Sequence, residues 1–190
     1  MFRRRDEPAR FGQRLMKDTI FNLTLFKAGW VAVVFFAAAN LPLAGALAAL
    51  GVVALHLWRS PVRRAELMLI VVSALVGFTW ESFLVLADVL EYGTASVLPG
   101  TAPVWIVAMW MLFATTLNVG MRWLRKSRIV AVLAGLVGGP LSFLAGQSAG
   151  AVTLTDPVYS VVIIGLGWAL LLPALVNVAS RYDGFQPAAA

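Results

Sequence analysis

Within the run FTWESFLVLADVLEY at residues 78–92, Glu81 and Asp88 stand seven positions apart in otherwise apolar sequence, with Glu91 three further on. On a helix this spacing puts the first two carboxyl groups on one face. A carboxyl group in such a setting can hold a proton, accept hydrogen bonds from a ligand, or pair with a cation. Few residues can face it. Lys27, in LFKAGW, is a basic residue set inside an apolar run. It can snorkel back to an interface or extend toward Glu81. Thr115, Thr116 and Asn118, in LFATTLNVG, offer hydroxyl and amide groups nearer one end of theirs. Their alternative use is hydrogen bonding between helices, worth about 0.6 kcal/mol each in a membrane. Pro140, with Ser142 two residues on, removes a backbone donor and frees the Leu136 carbonyl within a glycine-rich run. The resulting bend serves either helix packing or the lining of a cavity.

Other chemistry is poorly supplied. With no cysteine and one histidine, the chain lacks thiolate nucleophiles, sulfur ligands and the paired histidines of iron, zinc or haem centres. His56 and Glu81 fall at different depths, so no serine, histidine and acid triad can assemble. Glu81, Asp88, Glu91 and Asp156 are graded in depth, and only the last three approach one another as possible cation ligands. No strand is expected, and therefore no phosphate loop at a strand-to-helix turn. We expect no catalytic residue, no cofactor and no metal. An enzyme built on this chain would need carboxylate acid/base chemistry or a partner's site.

The elements that position these residues follow from composition. The chain is 61% hydrophobic and 13% charged, where soluble proteins carry roughly a quarter charged residues. It reads as an all-α integral membrane protein. The formal charge of +6 does not point to nucleic acid, because the basic residues cluster between apolar runs instead of spreading over a face with aromatic platforms. Anionic lipid head groups are the expected partner, at the cytoplasmic face.

Six apolar runs reach the roughly 17–25 residues a crossing needs, at about 19–39, 42–58, 65–92, 104–124, 129–151 and 158–179. In a six-span bundle all but one of the 15 Lys and Arg residues fall on one side, the exception being Lys27. By the positive-inside rule both termini are then cytoplasmic. The chain divides into a basic arm at 1–18, a membrane domain at 19–179 and a short cytoplasmic tail at 180–190. Phe11, Leu15 and Met16 among Arg10, Arg14 and Lys17 fit either a basic flank or a helix lying on anionic lipid. A cleavable signal peptide ending at Ala37, Ala38 and Ala39 is the rival reading, but the apolar run exceeds the usual 7–15 or so residues. Gly135 and Gly139, then Gly146 and Gly150, are spaced for close helix approach. Trp58, Trp105 and Trp123 suit interfacial belts, whereas Trp30, Trp80, Trp110 and Trp168 lie deeper.

NLTLFKAGW, WIVAMWMLFATTLNVGMRWL and AGLVGGPLSFLAGQSAGAV together resemble the bacterial inner-membrane family catalogued as domain of unknown function 2878. The phrases that carry it are Asn22, Phe26 and Trp30; Trp110, Phe113, Thr115 and Thr116; and Gly139, Pro140, Ser142 and Gly146. The likeness covers about residues 20–178. The resemblance implies a glutamine as the usual residue where this chain has Lys27, and commonly an aspartate where it has Glu81. The resemblance implies a multi-pass protein of the bacterial inner membrane with no established activity, and a lipid-related setting. Three functions follow as expectations. The first is binding of a lipid-like or small amphipathic molecule in a cavity walled by Glu81, Thr115, Thr116, Asn118, Ser142 and Lys27, opened by the bend at Pro140. The second is an accessory subunit docking a membrane-protein partner or a second copy of itself, and the third a proton-coupled carrier using Glu81.

Overall fold

Leucine, valine, alanine and phenylalanine in unbroken runs leave the backbone no polar partner but itself, and each run folds as a helix. The structure, a computed structural model, describes residues 7–94 and 96–186, with side chains from residue 16 onward. Residues 1–6, residues 187–190 and the side chains of Arg10, Phe11, Arg14 and Leu15 lie outside the described residues. So does the interfacial-helix reading that rests on them. The helices are α1 (Glu7–Ala38), α2 (Pro42–Arg59), α3 (Arg63–Leu86), α4 (Val104–Leu117), α5 (Arg128–Ser148) and α6 (Pro157–Arg181). All but α4 are long and apolar enough to cross a membrane.

Two helices are shorter than the apolar runs that encode them. The third run does not continue to Tyr92, because α3 ends at Leu86 with Asp88 in the left-handed region at φ 53°. The Asp88 and Val89 amides bond back to the carbonyls of Val85 and Leu84 at 3.1 and 2.9 Å, a Schellman cap that satisfies the last carbonyls of the helix. Asp88 is thus a cap residue and shares no helix face with Glu81. The fourth run stops at Leu117 and resumes as a 3₁₀ turn at Arg122–Lys126. Thr115 and Thr116 turn their hydroxyls onto the carbonyls of Leu112 and Phe113, both at 2.7 Å, and Asn118 and Gly120 are poor helix formers.

The same cap ends α1 and α5. Asn40, at φ 59°, and Gly150, at φ 83°, occupy the left-handed position, and the following amides, of Leu41 and Ala151, reach Phe36 and Gly146 at 2.8 and 3.0 Å. All three caps lie at the end of the bundle away from the arginines. There the expectation of no strand is corrected. β1 (Leu90–Tyr92) and β2 (Val152–Leu154) pair antiparallel, Leu90 with Leu154 and Tyr92 with Val152, and tie the exit of α3 to the exit of α5. Asp156 then caps α6 through the amides of Val158 and Tyr159.

Helix α4 is the axis of the bundle. It packs on α1, α2, α3 and α6, and ten of its 14 residues are buried. Ala102, just before it, donates to Ser82 Oγ at 3.0 Å, and Asn118, just after it, donates to Glu66 at the arginine-rich end. Helices α5 and α6 form the tightest pair. A Cβ on Gly135 would stand 2.1 Å from the Trp168 carbonyl oxygen, and one on Gly139 would stand 2.4 Å from the Trp168 ring. The first glycine pair therefore does allow close approach. Gly150 belongs instead to the cap of α5.

Candidate functional site

A cavity of about 420 Å³ opens between α1, α3, α4, α5 and α6. Its walls are mostly aromatic and aliphatic, as expected for a ligand pocket with few polar groups. Glu81 reaches it from α3 and is buried, 1% exposed. Its carboxyl group accepts from Tyr92 Oη at 2.5 Å and from Trp110 Nε1 at 2.8 Å. A buried carboxyl without donors would be costly; here β1 supplies one donor and α4 the other. Burial, and then the Glu81 carboxyl beside it, push the Tyr92 phenol well above its usual range, so Tyr92 is the donor.

The aromatic walls are held by glycine seats. A Cβ on Gly77 would lie 2.1 Å from the Trp110 ring, so only glycine lets this indole lie flat on α3 with its N–H on Glu81. Trp110 stacks on Trp168 at 5.0 Å between centroids, and Phe113 meets Trp168 edge-on at 5.3 Å. Such pairs add about 0.5–1.5 kcal/mol each beyond burial. Phe26 extends the cluster onto α1, edge-on to Phe113. Trp105, expected at an interface, is buried instead and donates to Thr94 at 2.9 Å. Trp58 and Trp123 are exposed at the arginine-rich end.

Of the residues singled out from the sequence, Glu81, Lys27 and Ser142 line this cavity, and Thr115, Thr116, Asn118 and Pro140 do not. Lys27 and Glu81 share the cavity without forming an ion pair. The Lys27 ammonium lies 5.3 Å from the centre of the Trp30 ring. Ser142 donates to the Gly139 carbonyl at 2.7 Å. Pro140 and the Leu136 carbonyl it frees both face Gly165, where an added Cβ would meet them at 3.3 and 3.2 Å. Pro140 thus packs α5 on α6. The Thr115 carbonyl serves to tether α1, accepting from Asn22 at 3.0 Å.

A model of the family described as protein of unknown function, DUF2878, matches residues 19–174. The chain belongs to the DUF2878 family. No curated protein and no solved structure matches it.

This DUF2878 chain also contains a buried polar cluster that the sequence reading missed, built partly from the matched region and partly from residues 182–184 beyond it. Glu66, in the first turn of α3, is fully buried. Its carboxylate accepts from His56 at 2.8 Å, from Asn118 at 2.6 Å and from the Gly184 amide at 2.8 Å. Asn118 also donates to the Tyr182 carbonyl at 2.8 Å and accepts from Arg125. Arg122 and Arg125 in turn hold Asp183 at 2.8 and 2.7 Å. The cluster clamps the segment after α6 onto the start of α3. The available signal was the polar spacing Asn118, Arg122 and Arg125, at intervals of four and three, directly after an apolar run. Among the described residues no three His, Asp or Glu side chains gather as a metal site.

Proposed function

We propose that the protein is a multi-pass membrane protein of the bacterial cytoplasmic membrane that binds a lipid-like or small amphipathic molecule in the cavity beside Glu81. The observation that carries the reading is a buried carboxyl, pinned by Tyr92 and Trp110, on the wall of a mostly apolar and aromatic cavity. A ligand with an apolar body and a single polar head meets there both the apolar surface and the polar groups it needs.

Six crossings are the arrangement we favour. Helix α4 alone spans only about 20 Å at about 1.5 Å per residue, but it is enclosed by other helices, and a short helix with irregular flanks is tolerated at membrane depth when protein surrounds it. The arginine-rich end, with Arg59, Arg63, Arg122, Arg125 and Arg181, then lies in the cytoplasm. Because the natural chain has no cysteine, single replacements report topology cleanly. Val97→Cys should react with an impermeant maleimide on intact spheroplasts, and Lys126→Cys only after permeabilisation. The reverse pattern would overturn the orientation.

Binding is tested by native mass spectrometry of the protein released from micelles. Wild type should carry a small-molecule adduct, and Glu81→Gln should reduce its occupancy about tenfold, or roughly 1.4 kcal/mol, with membrane level unchanged. Glu81→Leu should also cost about 1–3 kcal/mol of stability by stranding the Trp110 donor. An adduct retained undiminished in both variants would remove Glu81 from the site.

A further inference from the structure

The reading just given concerns where a ligand sits; the rim of the same cavity bears on how it enters and what charge it carries. Most lining residues are buried or half-buried, but Lys27 on α1, Trp123 in the turn before α5, and Gly138, Leu141 and Ala145 on α5 line the cavity and are also exposed. The last three, spaced by three and four, form one stripe along α5. Helix α1 packs on α2 and α4, and α5 packs on α6; among the described residues no packed face joins α1 to α5. A Cβ on Gly138 would meet nothing within 4 Å, so the rim there is open. The opening therefore faces sideways between two of the membrane-competent helices, from Trp123 at the arginine-rich end to Ala145 near the exit of α5.

Lys27 stands on this rim, exposed, with its ammonium 5.3 Å from the centre of the Trp30 ring. No carboxylate among the described residues pairs with Lys27, the described ion pairs all lying elsewhere. A cation–π contact alone is worth less than the cost of holding a charge inside a span. Glu81, the acidic group of the lining, has Tyr92 and Trp110 on its oxygens.

We infer that a single-chain anionic amphiphile, an alkyl carboxylate or alkyl phosphate, slides from the membrane between α1 and α5 into the cavity, its head on Lys27 and its chain among Phe26, Trp110, Phe113 and Trp168. The inference rests on the cavity reading and adds to it an entry route and a head-group charge. About 420 Å³ is near the lower end of ligand pockets, which run from roughly 300 to 1,000 Å³, and it suits one chain better than two.

The test titrates the full-length protein in neutral detergent with palmitate, hexadecyl phosphate, hexadecanol and hexadecyltrimethylammonium, reading occupancy by native mass spectrometry. At least one anion should bind about tenfold tighter than hexadecanol and the cation least well, and the better anion identifies the head group. Lys27→Gln should erase the advantage of the anion while leaving hexadecanol binding unchanged, and Lys27→Arg should keep it. Gly138→Trp should weaken every chain about tenfold without lowering the unfolding temperature. If Gly138→Trp blocks all four probes and the anions bind no better than hexadecanol, the head-group inference falls and the cavity stands. If Gly138→Trp blocks none, lateral entry and the cavity reading fall together.

Discussion

Glu66→Ala is expected to destabilise the protein by about 3–5 kcal/mol, the usual consequence of removing one member of a buried charged cluster. The three donors it serves, His56, Asn118 and the Gly184 amide, would be left buried without an acceptor, each at a cost of about 1–3 kcal/mol if it finds no other. The damage should be directional. Glu66 is the point at which the segment after α6 is fastened, since Gly184 and, through Asn118, Tyr182 depend on it. Trypsin should therefore cut after the exposed Arg181 in the variant well before it cuts wild type. Asp18→Ala, which breaks the exposed 3.4 Å pair with Arg59, is the control and should change stability by less than about 0.5 kcal/mol. Equal unfolding temperatures for Glu66→Ala and Asp18→Ala would refute the clamp.

Gly135→Ala is the second large effect. The new methyl would lie 2.1 Å from the Trp168 carbonyl oxygen and 2.7 Å from its carbon. Backbone on an adjacent helix cannot rotate aside as a side chain can, so α5 and α6 must separate. Overpacking of this kind costs about 1–3 kcal/mol, and the shift carries the Trp168 ring away from Trp110. The predicted signature is a lower unfolding temperature in micelles together with a changed near-ultraviolet circular dichroism of the stacked indoles. Gly138→Ala, on the same helix and with nothing within 4 Å of the new atom, should show neither. Identical behaviour of the two variants would contradict the close α5–α6 contact.

The helical bundle was legible because its signals are local. Apolar runs separated by Asn40 with Pro42, by the arginines at 59–64 and by Asp156 with Pro157 mark helix ends, and α2, α5 and α6 lie within a few residues of the runs that encode them. What escaped depends on contacts between distant segments. Nothing within 104–124 shows that Asn118 will be drawn to Glu66 and Tyr182, yet that is where the fourth helix breaks. Asp88 looked like a second acid on the Glu81 face of one long helix because a left-handed cap is set by how the chain must turn into β1, and leucine and valine around it conceal the stop.

The candidate site was half legible. Glu81 stood out because a carboxyl in the middle of an apolar run needs donors, but the donors are an indole and a phenol, residue types that read as bulk. The depth of Trp110 was readable; its pairing with Gly77 across two helices was not. Threonines 115 and 116 drew attention as polar groups, and their hydroxyls bond their own helix, the common alternative for such residues.

The claim on which the functional account rests is that the space beside Glu81 receives an alkyl chain. The direct measurement is photolabelling of the protein in bilayers with a diazirine-bearing fatty acid, followed by mapping of the labelled residues. The account predicts labels on Phe26, Trp30, Met109, Phe113 and Ala145, all on the cavity wall, with the inner positions suppressed by Gly138→Trp. Labels confined to outward residues such as Leu47, Leu133 and Leu170, unchanged by that substitution, would mean that lipid meets only the outside of the bundle and would contradict it.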